Sequence, residues 1–228
     1  CIRDSVLKGR RVALCTGARA AVPPIPGLLA SCPLTNESVF DLREKPESLA
    51  ILGAGAIGCE LAQVFARLGV RVELFELATR VLPNESELAS ATVAQALTQA
   101  GVRIHTGHAV REIKDGGQVV TDQGNIECER VLVALGRQPN TDGMKLADAK
   151  VEVDQRGFIV TDNKLRTTNK KIFAAGDCAA ALQFTHHADA QARVLVQNAL
   201  FPATAKVDGL VVPHCTYTQP EVASVGAS

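Results

Sequence analysis

No two cysteines of this chain lie closer than fourteen positions: Cys1, Cys15, Cys32, Cys59, Cys128, Cys178 and Cys215 are scattered along it. That spacing excludes a CxxC or CxxxxC pair and a close-spaced zinc site, and it argues against a disulfide framework. Dispersed thiols suit a reducing, cytoplasmic setting, and each reads as small apolar filler. Net charge is missing too, since 24 Lys and Arg meet 24 Asp and Glu. Neutrality leaves no electrostatic footprint for nucleic acid or an anionic membrane. No apolar run approaches ~20 residues, so nothing reads as a membrane span. The opening "CIRDSVLKGRR" lacks the apolar core of a signal peptide. Internal repeats and low-complexity tracts are absent. An initiator Met is absent as well, and the chain stops at "ASVGAS" straight after a strand-like stretch. It reads as a piece cut from a longer protein.

What is present suffices for one or two cores, with 228 residues of which 46% are apolar. Residues 10–17, "RRVALCTG", read as a short buried strand closed by Gly17. "AVPPIPGL" (21–28) holds three prolines and reads as an extended loop. From Leu49 the pattern is βαβ: a strand 49–52, a helix 56–68 stopped by Gly69, and a strand 70–76. A second helix follows, with Asn84 as N-cap, Glu87 completing a capping box and Gly101 ending it. After a short strand 102–105, residues 108–134 alternate short strands with the turn signals "KDGG" and "DQG". That predicts an antiparallel meander followed by an apolar strand 130–135. A further helix is expected over 188–200, with Ala188, Ala192, Leu195, Val196 and Ala199 on one face. The fold class is α/β: a Rossmann-like parallel sheet with an antiparallel meander.

Gly53, Gly55 and Gly58 form a G-x-G-x-x-G set directly after one strand and opening a helix. Gly53 permits the tight turn, Gly55 lets backbone approach a pyrophosphate, and Gly58 allows close helix–strand packing. The anion would sit on the free N–H groups of the helix start. Glu76 closes the second strand 18 residues after Gly58. A carboxylate there accepts ribose hydroxyls and repels a 2′-phosphate, so NAD(H) is expected over NADP(H). Arg71 and Arg80 are near enough in sequence to accommodate that phosphate, though each also reads as a solvated surface charge.

The segments "LAILGAGAIGCELA", "VALGRQPNT" and "IFAAGDCA" together resemble one family, the FAD-dependent pyridine nucleotide–disulfide oxidoreductases. Dihydrolipoamide dehydrogenase, glutathione reductase and mercuric reductase are its members, and the mercuric-reductase-like branch is the most similar. The resemblance implies an NAD(P) domain inserted into an FAD domain. On that pattern residues 1–36 end the first FAD segment, 37–137 form the NAD(P)-binding domain, 138–208 are the second FAD segment, and 209–228 begin a dimerisation domain. The FAD domain would be truncated. The same resemblance places Ile57, Glu60, Gly136 and Arg137 at the nicotinamide nucleotide, with Glu60 also a flavin-side partner that pairs in the family with a lysine near the redox cysteines, and Asn140 fixing the crossover turn. It places Thr16, Gly17, Ala18, Asp177, Phe184, Thr185 and His186 at FAD. His186 and His187 read equally well as capping or surface groups, and Glu60 as a carboxylate favoured by the helix dipole.

The family's catalytic parts are an FAD glycine loop, a CxxxxC disulfide and a His–Glu pair from a partner subunit, and none is in this sequence. The resemblance therefore implies a catalytically silent central piece of a homodimeric enzyme, with no metal. That parent would pass hydride from NAD(P)H through FAD to a disulfide and then to substrate. Two other readings stay open: a stand-alone NAD(H)-binding module, and a flavin-dependent NADH oxidoreductase without a redox disulfide.

Overall fold

A computed structural model describes residues 8–114, 116–180 and 182–226. In chain order the elements are β1 (Val12–Leu14), β2 (Ala18–Ala20), β3 (Ser48–Leu52), α1 (Ala56–Arg67), β4 (Arg71–Glu76), α2 (Glu87–Gln99) and β5 (Arg103–Thr106). Then come β6 (Val110–Lys114), β7 (Gln118–Thr121), β8 (Gly124–Glu127), β9 (Arg130–Val133), β10 (Arg137–Pro139), β11 (Ile172–Ala174), α3 (Thr185–Leu200), β12 (His214–Thr216) and β13 (Val222–Ser224). They fall into two compact units. One comprises Ala20–Arg137 with Pro213–Ser224, and the other the described residues up to Arg19, Gln138–Val212 and the described residues from Val225 on.

The first unit is built on a parallel sheet ordered β5-β4-β3-β9. Both faces are covered, which is why its strands read as apolar runs. Alternation sorts the side chains. Leu49 and Ile51 of β3, Val72 and Leu74 of β4 and Leu132 of β9 pack with Cys59 and Ala62 of α1 and Val93 and Leu97 of α2. Ala50, Leu52, Phe75, Val131 and Val133 face the other way, onto Ile113 and Val119 of the antiparallel sheet β6-β7-β8. Each such Leu, Ile or Phe contributes roughly 1.5–3 kcal/mol by leaving water. The fold is thus α/β with an antiparallel meander, as the pattern of the sequence predicts.

Helix α1 ends in a Schellman motif: Gly69 (φ +77°) donates to Ala66 O at 2.9 Å and Val70 to Phe65 O at 3.0 Å. The start of α2 differs from expectation. Its N-cap is Ser86, whose Oγ accepts from the Ala89 N–H at 3.2 Å, and Glu87 is the first helical residue. Asn84 and Glu85 are instead drawn into a turn in which Glu85 N–H donates to Leu82 O. The hairpin β12–β13 lies against α1, where Gln219 N–H donates to Gln63 Oε1 (2.7 Å) and Gln63 Nε2 returns a bond to Gln219 O (3.0 Å).

In the second unit β1 and β11 pair in parallel, Leu14 opposite Ala174. Helix α3 begins three residues before the expected 188, and its buried face is Gln191, Val194, Leu195 and Asn198. Val196 is half exposed. Two buried amides account for the shifted face. Asn198 bonds both ways with the Ala205 backbone and donates to Lys164 O, while Gln191 takes the Gly176 N–H.

Candidate functional site

The three glycines of the turn from β3 into α1, the last of them inside the helix, have different surroundings. Gly53 stands at φ +102°, and a Cβ there would lie 2.5 Å from Ala134 O. At Gly58 a Cβ would lie 1.9 Å from Gly53 O, so helix and loop touch backbone to backbone. At Gly55 a Cβ would meet nothing within 4 Å. Gly55 is also the N-cap of α1, and among the described residues no side chain caps that helix. Free N–H groups carrying the positive end of the helix dipole therefore face open space.

Glu76 ends β4 beside this loop. Its Oε2 accepts from the Ala54 N–H at 2.8 Å and its Oε1 from the Ala78 N–H at 2.9 Å. Two of the roughly four acceptor positions of a carboxylate are used, and the rest remain for a ligand. Gly136 (φ +102°) follows β9, the strand on the other side of β3. The loop, Glu76 and Gly136 thus share the carboxyl edge of the sheet. Chain order reverses there between β3 and β9, the position at which open α/β sheets bind ligands. Ile57 lies half-buried in the first turn of α1 and Arg137 half-buried at the start of β10. Glu60, one helical turn after Ala56, accepts from the Tyr217 N–H at 2.8 Å.

The arginines are more constrained than surface charges. Arg71 starts β4, about 16 Å along the strand from Glu76, and it pairs with Glu73 and donates to Glu127 O. Arg80 is half-buried, with Nη2 donating to Pro83 O and Glu85 O, both at 2.9 Å. Sequence reasoning missed three further features. Glu73 is fully buried and pairs with Arg103 (3.1 Å) and His105 (2.8 Å) as well as Arg71. Glu85 bonds to His214 and Ser224. His187 is held by Gln191. A charged residue inside "VELF" signals the first; the other two join residues far apart in sequence or one helical turn apart, and no motif marks them.

In the second unit, Asn140 donates its N–H to Gly17 O (2.9 Å) and its Nδ2 to Thr16 O (3.0 Å), so the turn before Ala18 is fastened. Asp177 follows Gly176 at the end of β11, and Phe184 is the N-cap of α3, with its ring stacked 5.4 Å from that of His186. Thr185 opens the helix and is exposed.

The thiols are quiet. Burial, then the charges of Glu76 and Glu60, push Cys59 up to about 12. Burial and Glu73 push Cys128 up to about 11. Cys15 and Cys215 are raised as well, burial first, with Cys178 and Glu221 adding to it. None of these four is a poised nucleophile. Among the described residues no group of His, Cys, Asp and Glu could hold a metal, and no helix is long and apolar enough to cross a membrane.

A family model described as pyridine nucleotide-disulphide oxidoreductase matches residues 3–192. The chain belongs to that family. As a pyridine nucleotide-disulphide oxidoreductase it is 36% identical over 220 residues to mercuric reductase of Staphylococcus aureus, covering 93% of this chain and 40% of that one. It is 38% identical to dihydrolipoyl dehydrogenase of Chlamydia muridarum, covering 98% of this chain and 49% of the other. The HOCl-induced flavoprotein disulfide reductase RclA of Escherichia coli superposes with a TM-score of 0.89 at 32% identity, over 97% of this chain and 52% of its own. The chain thus spans about half the length, or less, of these relatives. The geometry can be set against the family's two cofactors. The open space before an uncapped α1 fits a pyrophosphate. In the other unit the Nδ1 of His187 is enclosed by protein, with no hydrogen-bond partner among the described residues, and feels the charge of Asp177.

Proposed function

We propose that the sheet unit binds NAD(H) in preference to NADP(H), and that this chain is the nucleotide-binding central portion of an FAD-dependent oxidoreductase. One observation carries the reading: Gly55 leaves open space before the uncapped start of α1, and the Glu76 carboxylate is fixed beside it. The pyrophosphate would rest on the first-turn N–H groups of α1, which need no counter-charge from a side chain. Glu76, already oriented by Ala54 and Ala78, would accept the adenosine ribose hydroxyls and oppose a 2′-phosphate. Ile57, Glu60, Gly136 and Arg137 would border the nicotinamide end.

Asp177, the turn Thr16–Ala18 and the start of α3 (Phe184, Thr185 and His186) would hold part of FAD. When bound, that flavin supplies hydride acceptance from the nicotinamide. In the whole protein the reducing equivalents would pass to a cysteine disulfide and then to a substrate of mercuric-reductase or dihydrolipoamide-dehydrogenase type. The residues present bind and orient; none of them exchanges electrons, so the chain by itself is catalytically silent. The whole protein would work as a homodimer in the cytoplasm.

Calorimetry with NADH and NADPH tests the nucleotide reading. NADH should bind at least about tenfold more tightly, a difference of about 1.4 kcal/mol, and Glu76→Ala should erase the preference. Equal affinities in the unaltered chain would refute the role given to Glu76.

A further inference from the structure

Hairpin β12–β13 is pinned to the sheet unit at both of its ends. At the turn end, the buried Gln63 of α1 accepts the Gln219 N–H at 2.7 Å and donates to Gln219 O at 3.0 Å. Thr218 Oγ1 donates to Pro220 O, and Thr216 and Thr218 are buried. At the open end, Glu85 takes His214 Nε2 at 2.9 Å and the Ser224 hydroxyl at 3.2 Å. Val222 packs on the core that β3, β4 and α1 share. Backbone between these anchors has little room to move. From it the Tyr217 N–H donates to Glu60 Oε1 at 2.8 Å.

Glu60 and Gln63 stand three residues apart on α1, so they share one helix face, and both meet the hairpin. A glutamate side chain on a helix surface samples many rotamers unless something holds it. Here the donor is backbone, which has no rotamers of its own, and the Tyr217 side chain is largely exposed. Position matters to this carboxylate because of charge. A nicotinamide ring is cationic when oxidised and neutral when reduced, so a carboxylate beside it favours the oxidised form. That attraction weakens with distance and with intervening water. A held carboxylate therefore discriminates between the two forms more than one free to swing into solvent.

We propose that Tyr217, through its backbone N–H, and Gln63, through its paired bonds to Gln219, are positioning residues for Glu60, and that the hairpin thereby biases the nucleotide site toward NAD over NADH. The inference rests on the reading of Glu60 as a neighbour of the nicotinamide, and the test separates the two. Calorimetry of the 228-residue chain measures affinity for NAD, for NADH and for ADP-ribose, which has no nicotinamide. Glu60→Gln keeps an acceptor for the Tyr217 N–H and removes the charge. It lowers the NAD-to-NADH affinity ratio about threefold, the effect of a unit charge several ångströms away in a water-like medium. Tyr217→Pro, which removes the N–H, and Gln63→Met, which breaks the paired bonds, lower the ratio as well. Tyr217→Phe keeps the N–H and keeps the ratio. So does Ile113→Val, which loosens the core on the other face of the sheet. ADP-ribose binds equally to every variant.

A ratio unmoved in Tyr217→Pro or in Gln63→Met, while Glu60→Gln lowers it, overturns the positioning role and leaves the place of Glu60 standing. Weakened ADP-ribose binding in those two variants overturns it too, because the hairpin then serves the fold alone. A fall in Tyr217→Phe or Ile113→Val does the same. If Glu60→Gln leaves the ratio unchanged, or the folded, unaltered chain binds none of the three at millimolar concentration, the nucleotide reading of Glu60 falls and the positioning role with it.

Discussion

Gly55 and Gly58 stand three residues apart, one at the N-cap of α1 and the other in its first turn, yet the account assigns them opposite sensitivities. A side chain at Gly55 enters open space from a backbone that any residue adopts (φ −72°). Gly55→Val should therefore melt cooperatively, close to the unaltered chain, while abolishing NADH binding, because the branched side chain stands where the pyrophosphate must lie. A Cβ at Gly58 meets Gly53 O at 1.9 Å, and backbone cannot step aside. Gly58→Ala should cost about 1–3 kcal/mol and lower the melting temperature by several degrees. Thermal melts beside calorimetry check both, and a Gly55→Val chain that binds NADH normally would show that the loop is only a turn. The turn at Gly53–Gly58 and the place of Glu76 at the end of a strand were legible because glycine spacing and strand pattern are local features of the sequence. Glu73 was not. Its burial depends on Arg103 and His105, supplied by a strand thirty residues on. His187 escaped for a different reason: two adjacent histidines at a helix start look like capping groups, and only the Gly176–Gln191 bond makes one of them specific.

At the scale of elements, strands of the parallel sheet announce themselves because burial on both faces forces apolar residues at successive positions. The face of α3 did not, since Gln191 and Asn198 are buried to satisfy loop backbone. Counting apolar residues therefore rotates the stripe toward Val196. The start of α2 gives a sharper test. Asn84 and Ser86 are equally good caps by residue type, but only Ser86 caps, because Arg80 and Leu82 fold residues 82–85 into a turn. Ser86→Ala should lose about 1 kcal/mol of stability, and Asn84→Ala should lose almost none, in urea unfolding of the purified chain. The reverse order would restore the sequence-based cap.

For the whole molecule, the sequence contains one glycine loop opening a helix, the one at Gly53–Gly58. A flavin dinucleotide also needs an anchor for its pyrophosphate, and Asp177 with the Thr16–Ala18 turn supplies none. The purified chain should accordingly be colourless after dialysis and should reduce neither disulfides nor mercuric ion with NADH. An absorbance spectrum checks the first expectation, and a stoichiometric flavin band would contradict it. The central claim is that the sheet unit is a working dinucleotide site on its own, and titration calorimetry of the 228-residue chain with NADH tests it most directly. The account predicts one NADH per chain, displaced by NAD and lost in Gly55→Val. An absence of binding at millimolar NADH, in a chain shown by its melt to be folded, would contradict it.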